Sequence, residues 1–440
     1  MAEIRRDAEA ASVVATPWLL AWLDSPSFRA KLRACCSRSG VASWTAERLL
    51  EDVRASIYAS ELVHNFDSSG HSGVTLDIAL DNATEYFPSS WELLQLGYLG
   101  DPEDKAFGHP ASPADAAEEG IFRLPPFRGD ADLPADYEEA SSRLQYVALN
   151  MMRVDVGNPF FGTVTAVFSA SYWEDAIAAA PVDTGMFTFC CNKTYMGTPG
   201  SLQLPCDEYF VGLVCSAGTM VAGVSGAMDH AILNNQLFWG QSDLLAKWFD
   251  RWHGDEARNI TVGESTDFLE SNIIGNILYA ERGIKLLVGS FASLFGTPRG
   301  SLLRELASRR GIALAWAFGG GAMNRTDPGK ARRVTFRPDV RLLDSTTVRS
   351  GLVNASATDA TLDAFDKVWA EAEGAHAGTA AVPASQALAL WATAKEALPS
   401  ELHLDVPAAW DCSDWHACLG RSRAGECVCY PGHDDPALVV

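Results

Sequence analysis

The sequence predicts an α/β or α+β fold with a partly parallel sheet, a helical N-terminal region and a small Cys-rich tail. The strongest observation is a repeated plan in "AERGIKLLVGSF" (280–291) and "ASRRGIALAWAFGG" (307–320). Each has a helix end, then Arg-Gly-Ile, then a short apolar run. Gly283 and Gly311 stand 28 residues apart, and "GSLLRELASRR" between the runs has helical spacing. A glycine just past a helix, followed at once by a buried strand, is how an α/β unit turns its corner. Residues 284–318 therefore read as β-α-β, with parallel strands and a right-handed crossover. The second observation lies at 45–64, where "TAERLLEDVRASIYASELVH" sets Leu49, Leu50, Val53, Ile57, Tyr58 and Leu62 on one helical stripe.

Along the chain the remaining elements follow. "AASVVATPWLLAWL" (10–23) has the length of a signal-peptide apolar region. Asp7 and Glu9 precede it, and no small-x-small cleavage site follows, so it reads as a short packed helix. Stretches 100–120 and 123–139 are rich in Gly, Pro and Asp and read as surface loops or a linker. Strand-like runs follow at 162–170, 186–191 and 209–215, and 241–253 is helical. Residues 324–341 are polar and locally basic, and 359–373 and 384–398 read as two more helices. The expected organisation is a helical region (1–99), a loop-rich segment (100–139), a main α/β domain (140–330), a helical segment packed on it (331–405) and the tail (406–440).

Composition limits the functional classes. The 440 residues carry 34 basic against 56 acidic side chains, a net charge of −22, which argues against nucleic acid or an anionic membrane as a general partner. Hydrophobic residues make up 48%, enough for a folding core, yet no apolar run is long enough to predict a transmembrane helix.

The tail bears on the compartment. Cys412, Cys418, Cys427 and Cys429 are spaced C-x5-C, then x8, then C-x-C. Structural zinc sites pair ligands two to four residues apart; here only Cys427 and Cys429 are close, one intervening residue is tight for a tetrahedral knuckle, and His416 and His433 could complete a site. A redox centre wants C-x-x-C at a helix start, which is absent. A disulfide knot remains. The order C-x5-C…G-x-C-x-C-Y-P-G, with Gly425 and Gly432, resembles the latter part of an epidermal-growth-factor-like module without its closing cysteine. Five Asn-x-Ser/Thr triplets, at Asn82, Asn192, Asn259, Asn324 and Asn354, exceed the one or two that chance supplies and predict N-glycosylation. Cys206 and Cys215 flank a strand-like run at a spacing that suits a bridge. The adjacent pairs Cys35–Cys36 and Cys190–Cys191 suit buried small hydrophobes or partners of two different bridges. Together these place the protein in the secretory lumen or outside the cell.

In an open parallel sheet, ligands bind beyond the carboxyl ends of the strands. One such loop is "FGTPRGSLL", where Gly296, Thr297, Arg299 and Ser301 lead into a helix whose N-terminus and guanidinium suit an anion or a polar ligand. The other, "GGGAMNRTD", offers Gly319, Gly320, Gly321, Arg325 and Asp327. Candidate acid/base carboxylates are Glu264 and Asp267 in "GESTDFLE", a spacing shared with a solvated helix start, and Asp327. "HNFDSSGH" (64–71) reads as a loop, and no metal is predicted. A further segment, "SSRLQYVALNMMRVDVGNPFFGTVTAVF" (141–168), resembles the R-x-x-Y-x-A-L-N…G…F-G run of bacterial toxin-like domains related to ADP-ribosyltransferases. That resemblance implies NAD as cofactor, with Arg143 on a strand binding it, although the family's catalytic Glu has no counterpart here. Without the resemblance the segment reads as a helix, a turn and a strand.

The sequence thus points to an extracellular or lumenal enzyme, a hydrolase or glycosyl-transferring enzyme, acting on a carbohydrate or other polar small molecule without a cofactor. The alternatives are a non-catalytic binding or matrix glycoprotein and an NAD-using ADP-ribosyltransferase-like enzyme. They differ in demand: two carboxylates at the strand-end cleft, neither feature, or Arg143 on a strand.

Overall fold

The computed structural model describes residues 2–58, 60–67, 74–81, 86–87, 144–158, 161–168, 177–179, 221–222, 229, 232, 244–254, 260–263, 268–274, 277–278, 283–318, 333–336, 340–376, 384–405 and 418–429. The N-terminal helices are α1 (Ala2–Leu23), α2 (Pro26–Cys35) and α3 (Ala46–Tyr58). Strand β1 (Leu62–Phe66), helix α4 (Leu76–Asp81) and strands β2 (Tyr86–Phe87), β3 (Leu144–Leu149), β4 (Val164–Phe168), β5 (Ile177–Ala179) and β6 (Val221–Ala222) follow. Helix α5 (Leu244–His253) precedes β7 (Ile260–Gly263), β8 (Leu269–Ile274), β9 (Ile277–Leu278) and β10 (Ile284–Ser290). Next come α6 (Phe291–Leu294), α7 (Pro298–Arg310), β11 (Ala313–Ala317), β12 (Arg333–Phe336) and β13 (Val340–Leu343). The chain closes with α8 (Ser345–Arg349), α9 (Asp359–His376), α10 (Ala384–Ala397), β14 (His403–Asp405), β15 (Cys418–Ser422) and β16 (Cys427–Cys429).

Helices and a mixed sheet confirm the fold class. Among the described residues the main sheet has 12 strands in the order β16-β15-β14-β13-β11-β10-β4-β1-β3-β8-β5-β6. It is largely antiparallel, with one parallel pair, β10 and β11, in which Leu287 faces Leu314 and Gly289 faces Trp316. That pair is the β-α-β unit expected at 284–318. Its crossover helix α7 starts at the cap residue Thr297, whose hydroxyl accepts from Gly300 N at 3.0 Å. It ends at Gly311 in the left-handed region (φ 63°), with Ile312 N bonded back to Ala307 O at 2.9 Å. Both strands are buried along their whole length, as a central pair covered on two faces must be.

One face of β10 and β11 is closed by α7, α9 and α10 through a knot of aromatic rings. Phe295 lies 4.8 Å from Trp369, 5.3 Å from Trp316 and 5.6 Å from Phe365, all near edge-on. Fully buried Asp344 sits at its border and accepts from Trp316 Nε1 (2.6 Å), Arg304 Nε (2.9 Å) and Thr346 N (2.9 Å). The Arg304 guanidinium lies 3.5 Å over the Trp369 ring. A buried carboxylate is tolerable only with donors of this number.

The other face is polar where β1, β4 and β13 meet the turn 150–158. Arg341 donates to both oxygens of Glu61, at 2.5 and 2.8 Å, and through Nε to Asp155 O at 2.8 Å. Asn65 Nδ2 bonds Val156 O and Thr165 Oγ1, both at 2.8 Å, while Asn65 Oδ1 accepts from Asn158 N at 2.7 Å. Helix α5 clamps the turn: Arg251 donates to Met152 O and Arg153 O, and Trp252 Nε1 to Met151 O. Arg153 occupies the left-handed region (φ 50°), and burial pushes its guanidinium down to about 9.

Several local expectations change. The helix read over 45–64 stops at Tyr58, and Leu62–His64 belong to β1. Leu49, Leu50, Val53 and Ile57 are buried as expected, but Ser60 Oγ bonds back to Ser56 O at 2.7 Å and frees the chain to extend. Residues 64–66 of "HNFDSSGH" are therefore strand, not loop. Residues 144–149 are also a strand, paired with β1 on one side and β8 on the other, where the segment without the resemblance read as a helix. Leu269 and Glu270 begin β8 and not a helix. Cys35 and Cys36, both buried, are bonded to one another through their Sγ atoms, not to two different partners.

Strand β1 also carries a pH-sensitive residue. His64 Nδ1 bonds Tyr146 O at 2.7 Å, Nε2 is buried without a hydrogen-bond partner among the described residues, and burial lowers the imidazole below its ordinary 6.5. The unfolded chain thus binds this proton more readily than the folded one. The neutral ring's stabilisation is complete above pH 6.5 and is lost as pH falls below it. His64→Phe is expected to lose less stability between pH 7 and pH 5 than the parent, by up to about 1.4 kcal/mol per pH unit, in urea unfolding at each pH. Equal losses in both proteins would contradict a neutral buried His64.

Candidate functional site

β1 runs antiparallel to β4, and β4 antiparallel to β10, so β1, β10 and β11 send their carboxyl ends the same way. Asp67 follows β1 directly and adopts φ 64°, a left-handed conformation that Asp tolerates better than most residues. The conformation turns its buried carboxylate onto the start of α7. There Arg299 donates to Asp67 through Nη2 and through Nε (3.2 Å). The same carboxylate accepts from Leu76 N at 3.2 Å and from Thr163 Oγ1 at 3.3 Å. Asp77, in the first turn of α4, accepts from Arg299 Nη1 at 3.2 Å.

The two carboxylates are unlike. The Asp67 side chain is 4% exposed and that of Asp77 is 59% exposed, with the 44% exposed guanidinium between them. The hydrogen bonds of Arg299 to Asp67, and then to Asp77, raise its pKa, so the guanidinium stays charged. Among the described residues three of its five N–H donors are engaged, which leaves two for a ligand. The arrangement is a fixed cationic fork with a rigid carboxylate behind it and an accessible one beside it. It can hold a hydroxyl or carboxylate group and present one carboxylate oxygen as a proton acceptor.

The surrounding backbone is well fixed. Gly296 (φ 70°) packs against Ala372, where a Cβ would collide. Thr297 Oγ1 accepts from Gly300 N at 3.0 Å, and Ser301 is exposed with its hydroxyl 3.4 Å from Thr297 O. Ser290, at the end of β10, donates its N–H to Thr163 O at 2.9 Å, which ties β10 to the strand that supports Asp67. Phe161, two residues before Thr163, is 37% exposed.

Of the residues singled out from the sequence, Gly296, Thr297, Arg299 and Ser301 are thus brought together. Arg325 and Asp327, the glycines 319–321, Glu264, Asp267 and Arg143 lie outside the described residues, as do Asn82, Asn192, Asn259, Asn324, Cys206, Cys215 and Cys412. Asn354 is exposed. Cys427 and Cys429 are disulfide-bonded, and for Cys418 only the backbone in β15 is described. In the sequence Asp67 stands out only beside His64 and His71 in the loop reading of 64–71, and nothing there marks Asp77 or Thr163. The available signal was an Asp closing an apolar strand, but only the fold shows that β1 ends beside α7.

No protein-family model matches the chain, and no curated protein matches it. Among the described residues no group of three or more His, Cys, Asp or Glu side chains is arranged to hold a metal ion. Among them, too, no helix is long and apolar enough to cross a membrane.

Proposed function

We propose that the protein is an enzyme of the secretory lumen or extracellular space that acts on a carbohydrate or similarly polar, hydroxyl-rich small molecule at the Arg299 site. The observation that carries this reading is one guanidinium shared by Asp67, at the end of β1, and Asp77, in the first turn of α4, with two donors unspent among the described residues. Arg299 holds a substrate hydroxyl or carboxylate. Asp77 accepts a proton from the attacking water or hydroxyl as that group's oxygen bonds the anomeric carbon, the glycosidic C–O bond breaks, and the leaving oxygen takes up a proton from solvent. Asp67 orients Arg299 from behind, and the exposed Phe161 suits stacking on a sugar face. The test is a screen of oligosaccharides and glycosides for released reducing ends, with the parent and Asp77→Asn. A general base of this kind contributes about 10²–10⁴-fold, so Asp77→Asn should lose that much turnover with folding intact. Binding without turnover in the parent would replace catalysis by a binding glycoprotein. Failure of every sugar to bind would overturn the reading.

A second reading has one observation in its favour. The residues directly after Arg143 form strand β3, inside the sheet, and the resemblance to ADP-ribosyltransferase-like domains calls for a strand there. NAD therefore belongs in the same screen, and its cleavage without sugar turnover would favour this alternative.

A further inference from the structure

We infer that the bond between Cys35 and Cys36 is a redox switch, opened by a small-molecule thiol, that sets how firmly α2 holds α5 and, through it, the turn 150–158. The two cysteines are bonded through their Sγ atoms. Cys35 is the last residue of α2 and Cys36 its cap, with Cys36 N bonded back to Leu32 O at 2.9 Å. A bridge stabilises a fold mainly by closing a loop, and more so for a longer loop. Between chain neighbours it closes the shortest loop there is and ties no distant segments together, so a structural staple is not what this bond supplies. Its Cα atoms stand 3.8 Å apart, as consecutive residues must, and an ordinary bridge spans roughly 4.4–6.8 Å. A bridge outside that range is more readily reduced.

The sulfurs are placed for the reduced state as well. Cys36 Sγ lies 3.5 Å from Phe249 O, in α5, and Cys35 Sγ lies 3.7 Å from Leu32 O. A bridged sulfur has no hydrogen to donate, whereas a thiol is a weak donor. Reduction therefore adds a hydrogen bond from α2 to α5, beside the edge-on contact of Phe28 and Phe249 (5.9 Å). Helix α5 passes the change on. Its Arg251 and Trp252 donate to the carbonyls of Met151, Met152 and Arg153, and the turn they hold bonds Asn65, two residues before Asp67. Cys35 is 8% exposed and Cys36 is fully buried, so an incoming thiolate meets Cys35. It bonds Cys35 Sγ as the Cys35–Cys36 bond breaks, and the electron pair leaves on Cys36 Sγ, which takes up a proton and donates it to Phe249 O. A second thiol frees Cys35 from the mixed disulfide. Two thiols thus become one disulfide, and two electrons and two protons reach the pair; the reverse exchange closes it.

The test equilibrates the full chain in mixtures of reduced and oxidised glutathione, as parent, Cys35→Ala and Cys36→Ala. Cys35→Ala removes the bond and keeps the Cys36 thiol, so it holds the reduced arrangement in any mixture. Cys36→Ala removes both the bond and the donor. Differential alkylation read by peptide mass reports whether residues 35 and 36 are joined, and deuterium uptake reports the protection of 244–253 and 150–158. The expected result is a joined pair in the oxidised parent that opens before the bridged Cys427 and Cys429. Exchange in both segments should slow about twofold or more on opening, as a weak hydrogen bond allows. Cys35→Ala should show the slow exchange in every mixture, and Cys36→Ala the fast exchange. A parent with free thiols at 35 and 36 in oxidised glutathione, or one that exchanges alike before and after opening, would overturn the inference. So would a Cys35→Ala protein whose exchange still follows the glutathione ratio, because the responding bond would then lie elsewhere. The parent measurements decide the matter even if a variant fails to fold.

Discussion

Arg341→Met is expected to destabilise the protein by about 3–5 kcal/mol, the cost of leaving one partner of a buried ion pair unpaired. The Arg341 and Glu61 side chains are 1% and 3% exposed, and the guanidinium also supports the carbonyl of Asp155. Removing it strands the Glu61 carboxylate in the core and loosens β13 from the turn 150–158. The double variant Glu61→Leu with Arg341→Met should recover much of the loss, because an apolar pair of similar volume is often neutral against a buried ion pair. Urea unfolding of the parent, both single variants and the double variant measures this coupling. A loss below about 1 kcal/mol for Arg341→Met would place the pair in contact with water, contrary to its burial here.

Gly162→Ala is expected to cost roughly 3 kcal/mol, the upper end of the range for overpacking, because the obstruction is backbone and cannot rotate aside. A Cβ at this position would run into the carbonyl of Phe66 and approach its nitrogen to 2.7 Å. Phe66 immediately precedes Asp67, and Thr163 immediately follows Gly162, so the displaced atoms are those that hold the carboxylate behind Arg299. Chemical unfolding and the substrate screen should therefore move together in this variant. A variant with parent-like stability would show that the two strands separate freely at this point.

The β-α-β unit was readable from the sequence because its signals are local: a capping residue, a Gly one residue past a helix and fully apolar runs all lie within some thirty residues. Helices α9 and α10 were readable for the same reason. Strands β1 and β3 were not. Leu62–Phe66 follows a helix with almost no break, and Leu144–Leu149 becomes a strand because neighbours on both sides complete its hydrogen bonds. Half of the candidate site was legible, since Gly296, Thr297 and Arg299 share one loop with a recognisable helix start. Asp67 and Asp77 were not, because their meeting with Arg299 spans more than 200 residues of sequence and depends on β1 lying two strands from β10.

If Arg299 offers its unspent donors to a polar ligand, isothermal titration measures the contact directly. Oligosaccharides that the parent turns over would be titrated into the parent, Asp77→Asn and Arg299→Met, each checked for its folded signal at the working temperature. Saturable binding by the parent, near-parent affinity for Asp77→Asn and at least about a tenfold loss for Arg299→Met, or 1.4 kcal/mol, are expected. Unchanged affinity in a folded Arg299→Met protein would contradict the contact, and would leave the guanidinium as a tie between β1, α4 and α7 only.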